Sequence, residues 1–111
     1  MELYTVLTAD VINSRHQEAV VAVKKAKLQE LTDKNLIAPF TFSRGDEIQT
    51  VLAGVVSSPG ILRKLRYFCR PLQLRIGIGV GRITSGLMAT SSWEMNGPAF
   101  HRARQALDEM E

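Results

Sequence analysis

Three carboxylates stand in strand-like surroundings, where a bare charge is expensive. Asp10 interrupts the apolar run 3–12 (LYTVLTADVI) near its end, and Asp46 and Glu47 follow Gly45 in the middle of 39–53 (PFTFSRGDEIQTVLA). A charge in such a strand costs free energy unless it is paired or bound to metal. Clustered carboxylates repel one another unless a cation lies between them. Oxygen donors of this kind suit Mg²⁺ or Mn²⁺, usually with phosphate completing the shell. Asp10 and Asp46, with Glu47 beside them, are therefore candidate metal ligands. The plainer alternatives are a helix cap or arginine partner for Asp10, and turn chemistry for Gly45-Asp46.

Other residues qualify as neighbours of such a site. Gly77 and Gly79 share one face of a strand, followed by Gly81. Glycines weaken a strand by removing side chains, so either a ligand or a tightly packed helix or subunit lies against the backbone there. The run falls within a strand, so it is not a dinucleotide-binding turn. His101, Arg104, Gln105 and Asp108 share one helix flank by their spacing, and cations there suit phosphate, although a solvated polar face is the plainer explanation. His16, His101 and Cys69 lack zinc-ligand spacing. No serine or cysteine catalytic arrangement stands out.

The elements that must position these residues follow from periodicity. Residues 3–12 read as a buried strand. Asn13 and Ser14 offer N-cap chemistry to a helix from about Arg15 to Thr32. Phe40 and Phe42 alternate with polar residues into a hairpin with Gly45 in the turn, and Ile48, Thr50 and Leu52 share the parity of the return strand. Ser58-Pro59 starts a second helix, with Ile61, Leu62, Leu65, Phe68 and Cys69 at helical spacing, and Pro71 stops it. Residues 72–80 alternate strictly. Residues 86–96 read as a polar loop, and Gly97-Pro98 opens a last helix with Phe100, Ala103, Leu107 and Met110 on its buried face. The order β-α-β-β-α-β plus a C-terminal helix predicts an α/β (α+β) ferredoxin-like palm. In it an antiparallel sheet carries both helices on one face and leaves the other open. The end of the first strand then lies by the hairpin tip, next to Asp46.

The chain has 111 residues, 45% of them hydrophobic, which fits one domain over 1–111 with its own core. One cysteine excludes an internal disulfide and agrees with a cytoplasmic setting. No apolar run approaches the ~20 residues of a membrane helix. The net charge of +3 suits a phosphate-bearing ligand and is too small to argue for a DNA groove binder. An RNA-recognition reading of the same element order is disfavoured, because the face expected to bind carries glycines and an acid instead of stacking aromatics.

Four segments taken in order carry a resemblance. Thr8-Ala9-Asp10-Val11-Ile12-Asn13-Ser14 resembles the first-strand metal motif of class III nucleotide cyclases. Arg44-Gly45-Asp46-Glu47 resembles their hairpin Gly-Asp and part of the diguanylate cyclase signature. Leu74 to Gly81 resembles their fourth strand, and Asn96 to Arg104 the helix after it. Together they look closest to the SatD family, whose members pair such a domain with a C-terminal segment similar to a helix-turn-helix. The resemblance implies a palm fold with two catalytic, metal-binding aspartates, Asp10 and Asp46. It implies Mg²⁺ or Mn²⁺ as cofactor, a nucleoside triphosphate as ligand, and a homodimer. Asn13, Ser14, Arg44, Gly77, Gly79, His101 and Arg104 are the matching nucleotide- or phosphate-binding candidates. The pattern is broken at three positions. Phe42 stands where cyclases carry a base-selecting lysine, His101 where they carry a transition-state asparagine, and Gln105 where they carry an arginine. Losing charge aimed at a transition state costs several kcal/mol. The alternative reading is a non-catalytic ligand-sensing or dimerisation module of a transcriptional regulator.

Overall fold

The computed structural model describes residues 2–42, 46–56, 58–87 and 91–109. Four strands, β1 (Tyr4–Val11), β2 (Leu36–Phe42), β3 (Glu47–Ala53) and β4 (Leu74–Gly81), form one antiparallel sheet in the order β2-β3-β1-β4. The helices are α1 (Glu18–Lys27), α2 (Ser58–Cys69) and α3 (Pro98–Asp108). The mixed α/β palm order expected from periodicity holds.

β1 is central and buried on both faces, which is why it reads as an unbroken apolar run. Leu7, Ala9 and Val11 join Phe40, Ile48, Leu74 and Ile76 beneath Val21 of α1 and Ile61, Leu65 and Cys69 of α2. Tyr4 and Val6 point the other way, into a second cluster with Ala38, Val51, Met95, Ala99 and Ala103.

That second cluster corrects one expectation: the face opposite α1 and α2 is not open. α3 lies on it, against β4 and β1. The glycines of β4 make the approach possible. A Cβ on Gly77 would stand 2.3 Å from the Ala103 carbonyl oxygen, and one on Gly79 would stand 2.3 Å from both the Ala103 nitrogen and the Ala99 carbonyl oxygen. Of the two explanations the glycines allowed, tight helix packing is the one found, and helix backbone fills the space a phosphate would need at Gly77 and Gly79.

The first helix is shorter than its composition suggests. A 3-10 turn (Ser14–His16) precedes α1 and another (Leu28–Glu30) follows it. Gln17 breaks the run at φ −136°, and its side-chain amide donates to the carbonyls of Ile12 (2.9 Å) and Asn13 (3.2 Å). Asn13 takes the cap position only of the 3-10 turn, and its side chain makes no capping hydrogen bond there. The residue adopts the left-handed conformation, φ 57°, which asparagine tolerates better than most residues. Gly45, expected in the hairpin turn, and Met110 lie outside the described residues.

Cys69 is a buried free thiol. Burial pushes its pKa up to about 11, against an opposing pull from Lys24. The neutral thiol is thus favoured by folding. Its contribution to stability is complete below pH ~9 and is lost as pH rises toward about 11, because the unfolded thiol ionises first. Since the thiolate is the reactive species, iodoacetamide at pH 8 is expected to label the unfolded chain and spare the native one. Equal labelling rates, read by mass spectrometry, would show that the thiol is accessible in the native protein.

Candidate functional site

The ends of β1 and β3 bring the acidic residues together. Asp10 is the direct cross-strand partner of Glu47 on β3 and of Arg75 on β4. Just beyond, the Val11 amide donates to the Asp46 carbonyl at 3.3 Å. The backbone positions of Asp10 and Asp46 therefore adjoin, as the topology predicts.

Their carboxylates, however, engage different partners on opposite faces of the sheet. Asp10 Oδ1 accepts from Arg75 Nε at 3.1 Å on the α3 side. Glu47 shares that face and receives a two-pronged bond from Arg104 of α3, Nη2 to Oε1 at 2.5 Å and Nη1 to Oε2 at 3.0 Å. Asp108 stands 3.9 Å from the same guanidinium. The hydrogen bonds to Glu47 raise the Arg104 pKa despite partial desolvation, and the charges of Glu47, Asp108 and Asp10 act in the same direction. Asp46 instead lies 3.6 Å from Lys25 Nζ of α1, whose ammonium sits 5.5 Å from the Phe42 ring centroid.

The donor set suits a hard cation in chemistry, with three carboxylates at two hydrogen-bonded strand ends. Each is at present matched by its own cation, and no three His, Cys, Asp or Glu among the described residues form a ready metal-binding group. Metal could enter only as Arg75, Arg104 or Lys25 lets go. One row further along the same face, Thr8 pairs with Gln49, which pairs with Thr41. Thr8 Oγ1, Gln49 Oε1 and Thr41 Oγ1 are buried without a hydrogen-bond partner, an uncommon condition in a folded protein.

The remaining candidates divide. Asn13 lines an open cleft of about 430 Å³ at the end of β1 with Ile12, His16, Gln17, Pro71 and Gln73, and Ser14 follows in the 3-10 turn. Arg104 reaches the acidic end, whereas His101, one turn earlier on α3, is exposed. Arg44 lies outside the described residues. Two cations were not singled out from the sequence, Arg75 and Lys25. Arg75 was legible, because it shares the glycine parity of β4 and the register sets it opposite Asp10. Lys25 carried no comparable signal.

The model of the SatD family matches residues 4–111. The chain belongs to the SatD family. No curated protein matches this SatD-family chain. Among solved structures, a diguanylate cyclase, SiaD from Pseudomonas aeruginosa in complex with its activator SiaC, is similar in fold, with a TM-score of 0.65 and 17% sequence identity. The alignment covers 96% of the SatD-family chain and 45% of the SiaD chain. At that identity the likeness establishes a cyclase-like fold. No helix among the described residues is long and apolar enough to cross a membrane.

Proposed function

We propose that this SatD-family domain binds a nucleoside triphosphate or related nucleotide, together with Mg²⁺ or Mn²⁺, at the acidic ends of β1 and β3. The observation that carries the reading is the direct opposition of Asp10 and Glu47, with Asp46 one position away, each matched by a cation within reach. This is an ion-paired resting form of a metal–phosphate site. A divalent ion would be held first by Asp10 and Glu47, which share the α3 face, with Asp46 joining them only as its side chain turns from Lys25 at the strand end, leaving Arg75, Lys25 and Arg104 free for phosphate oxygens. Both halves of the exchange conserve charge pairing, so neither leaves an uncompensated ion. Asn13, in the open cleft at the end of β1, is a further contact. When bound, such an ion polarises a phosphoryl oxygen and acidifies a nearby hydroxyl. A homodimer, as the cyclase resemblance implies, is part of the same proposal.

A specific observation favours a second, non-catalytic reading as a ligand-sensing module. Phe42 is packed against the main core and Gln105 is exposed, where cyclases place lysine and arginine. Incubation with each nucleoside triphosphate and Mg²⁺ or Mn²⁺, with products resolved chromatographically, separates the two. The catalytic reading expects a product that disappears in Asp46→Asn. Metal-dependent binding without product establishes the sensing reading, and absence of binding overturns both.

A further inference from the structure

The charge of this protein is unevenly distributed. Residues 18–34 and 58–70, the helical layer, hold eight of the fourteen lysines and arginines but only three of the eleven carboxylates. The layer is therefore strongly basic, while the rest of the chain is net acidic. Between α1, its following 3-10 turn and α2 runs a groove of about 560 Å³, with Leu31, Tyr67 and Phe68 as its apolar lining. Lys24 and Lys27 line it from α1, and Lys64 lines it from α2. Tyr67 is 71% exposed, with the Arg70 guanidinium 5.1 Å from its ring centroid. Leu31 and Phe68 pack against the core with their inner sides, but Tyr67 is not part of that packing, so an exposed aromatic ring between basic walls is not a feature that folding requires here.

We infer that this groove docks an acidic segment of a partner protein, laid in as an amphipathic helix with an apolar anchor against Tyr67 and Phe68. The chemistry argues for this occupant over others. The lysines do not converge on one point, as a phosphate would need. Lys24 is drawn over the Phe68 ring at 5.5 Å, and Lys64 toward Asp33 at 3.5 Å. Glu30 in the lining and Asp33 beside it break the unbroken positive surface that a nucleic-acid backbone favours. A second copy of this face would bring two strongly basic surfaces together. An acidic helix meets both walls with opposite charge, which speeds encounter and sets orientation, while its apolar stripe covers the floor in the helix-in-groove manner. The surface is separate from the acidic strand ends, so it stands or falls independently of the nucleotide proposal.

The test is fluorescence anisotropy with three probes: a synthetic 16-residue helical peptide with glutamates flanking a leucine-phenylalanine stripe, its lysine-for-glutamate counterpart, and a single-stranded oligonucleotide. The acidic peptide is expected to bind and to weaken in higher salt. It should lose at least tenfold in affinity with Lys27→Glu or Tyr67→Ser, both changes at exposed positions, and little with Arg82→Glu, an exposed cation elsewhere. Equal weakening by Arg82→Glu, equal binding of the lysine peptide, or tighter binding of the oligonucleotide would each overturn the proposal.

Discussion

Gly79→Val is expected to destabilise the protein by about 3 kcal/mol, at the upper end of the range for overpacking, through loss of α3 from the sheet. The added atoms have nowhere to go. At Gly79 the nearest neighbours of a Cβ are main-chain atoms, the Ala103 nitrogen and Ala99 carbonyl oxygen at 2.3 Å and the Arg102 carbonyl carbon at 2.9 Å. Flexible side-chain ends yield cheaply, whereas the backbone of a packed helix does not. The natural control is Gly60 in α2, where a Cβ meets nothing within 4 Å. Gly60→Ala is expected to stabilise by roughly 0.5–1 kcal/mol, because alanine loses less entropy in a helix. Urea denaturation measures both. If the two glycine variants shift the midpoint by similar small amounts, α3 is not seated on β4 as described. The change also bears on the site, because α3 delivers Arg104 to Glu47.

Phe40→Ala should cost about 3–5 kcal/mol, the usual range for deleting a buried aromatic side chain. Phe40 is 1% exposed and is among the largest fully buried side chains. It anchors an edge strand with weak alternatives. The pairing of β2 with β3 shifts register twice, between Leu36 and Ala38 and again between Ala38 and Thr41, so the hydrogen-bond ladder alone holds β2 loosely. Removing the ring is expected to free β2 and uncover the edge of β3, an invitation to aggregation. Chemical denaturation with light scattering checks both parts. A cost under 1 kcal/mol without aggregation would show that β2 is held by something other than this side chain.

Much of this architecture could be read from periodicity. The strict alternation of 72–80 identified β4 and sorted its apolar face from its glycine face. What lay against the glycines could not be read from β4 alone. The answer was in α3, where Ala99 and Ala103 repeat at a spacing of four and present a small-residue stripe matching the glycines. Neither segment announces the other, because the match is a fact of tertiary packing.

The acidic site was half legible for a similar reason. Topology placed Asp10 beside the hairpin, but a side chain's face depends on strand parity, and one residue reverses it. Asp10 shares the face of Val6 and Thr8. On β3 that face belongs to Glu47, Gln49 and Val51, and Asp46 precedes the strand and pairs with Lys25 on the other side. The carboxylate opposite Asp10 is thus Glu47. Arg104 reaches it only because α3 covers the face once expected to be open.

The nucleotide proposal is tested most directly by calorimetric titration of ATP and GTP into the protein, with Mn²⁺ and then with EDTA, for wild type and Asp10→Asn. Binding that is at least tenfold tighter with the metal, and that the variant loses, is the predicted result. Equal affinity with and without the metal, unchanged in Asp10→Asn, would place any nucleotide site elsewhere and leave the Asp10–Arg75 and Glu47–Arg104 pairs as structural salt bridges.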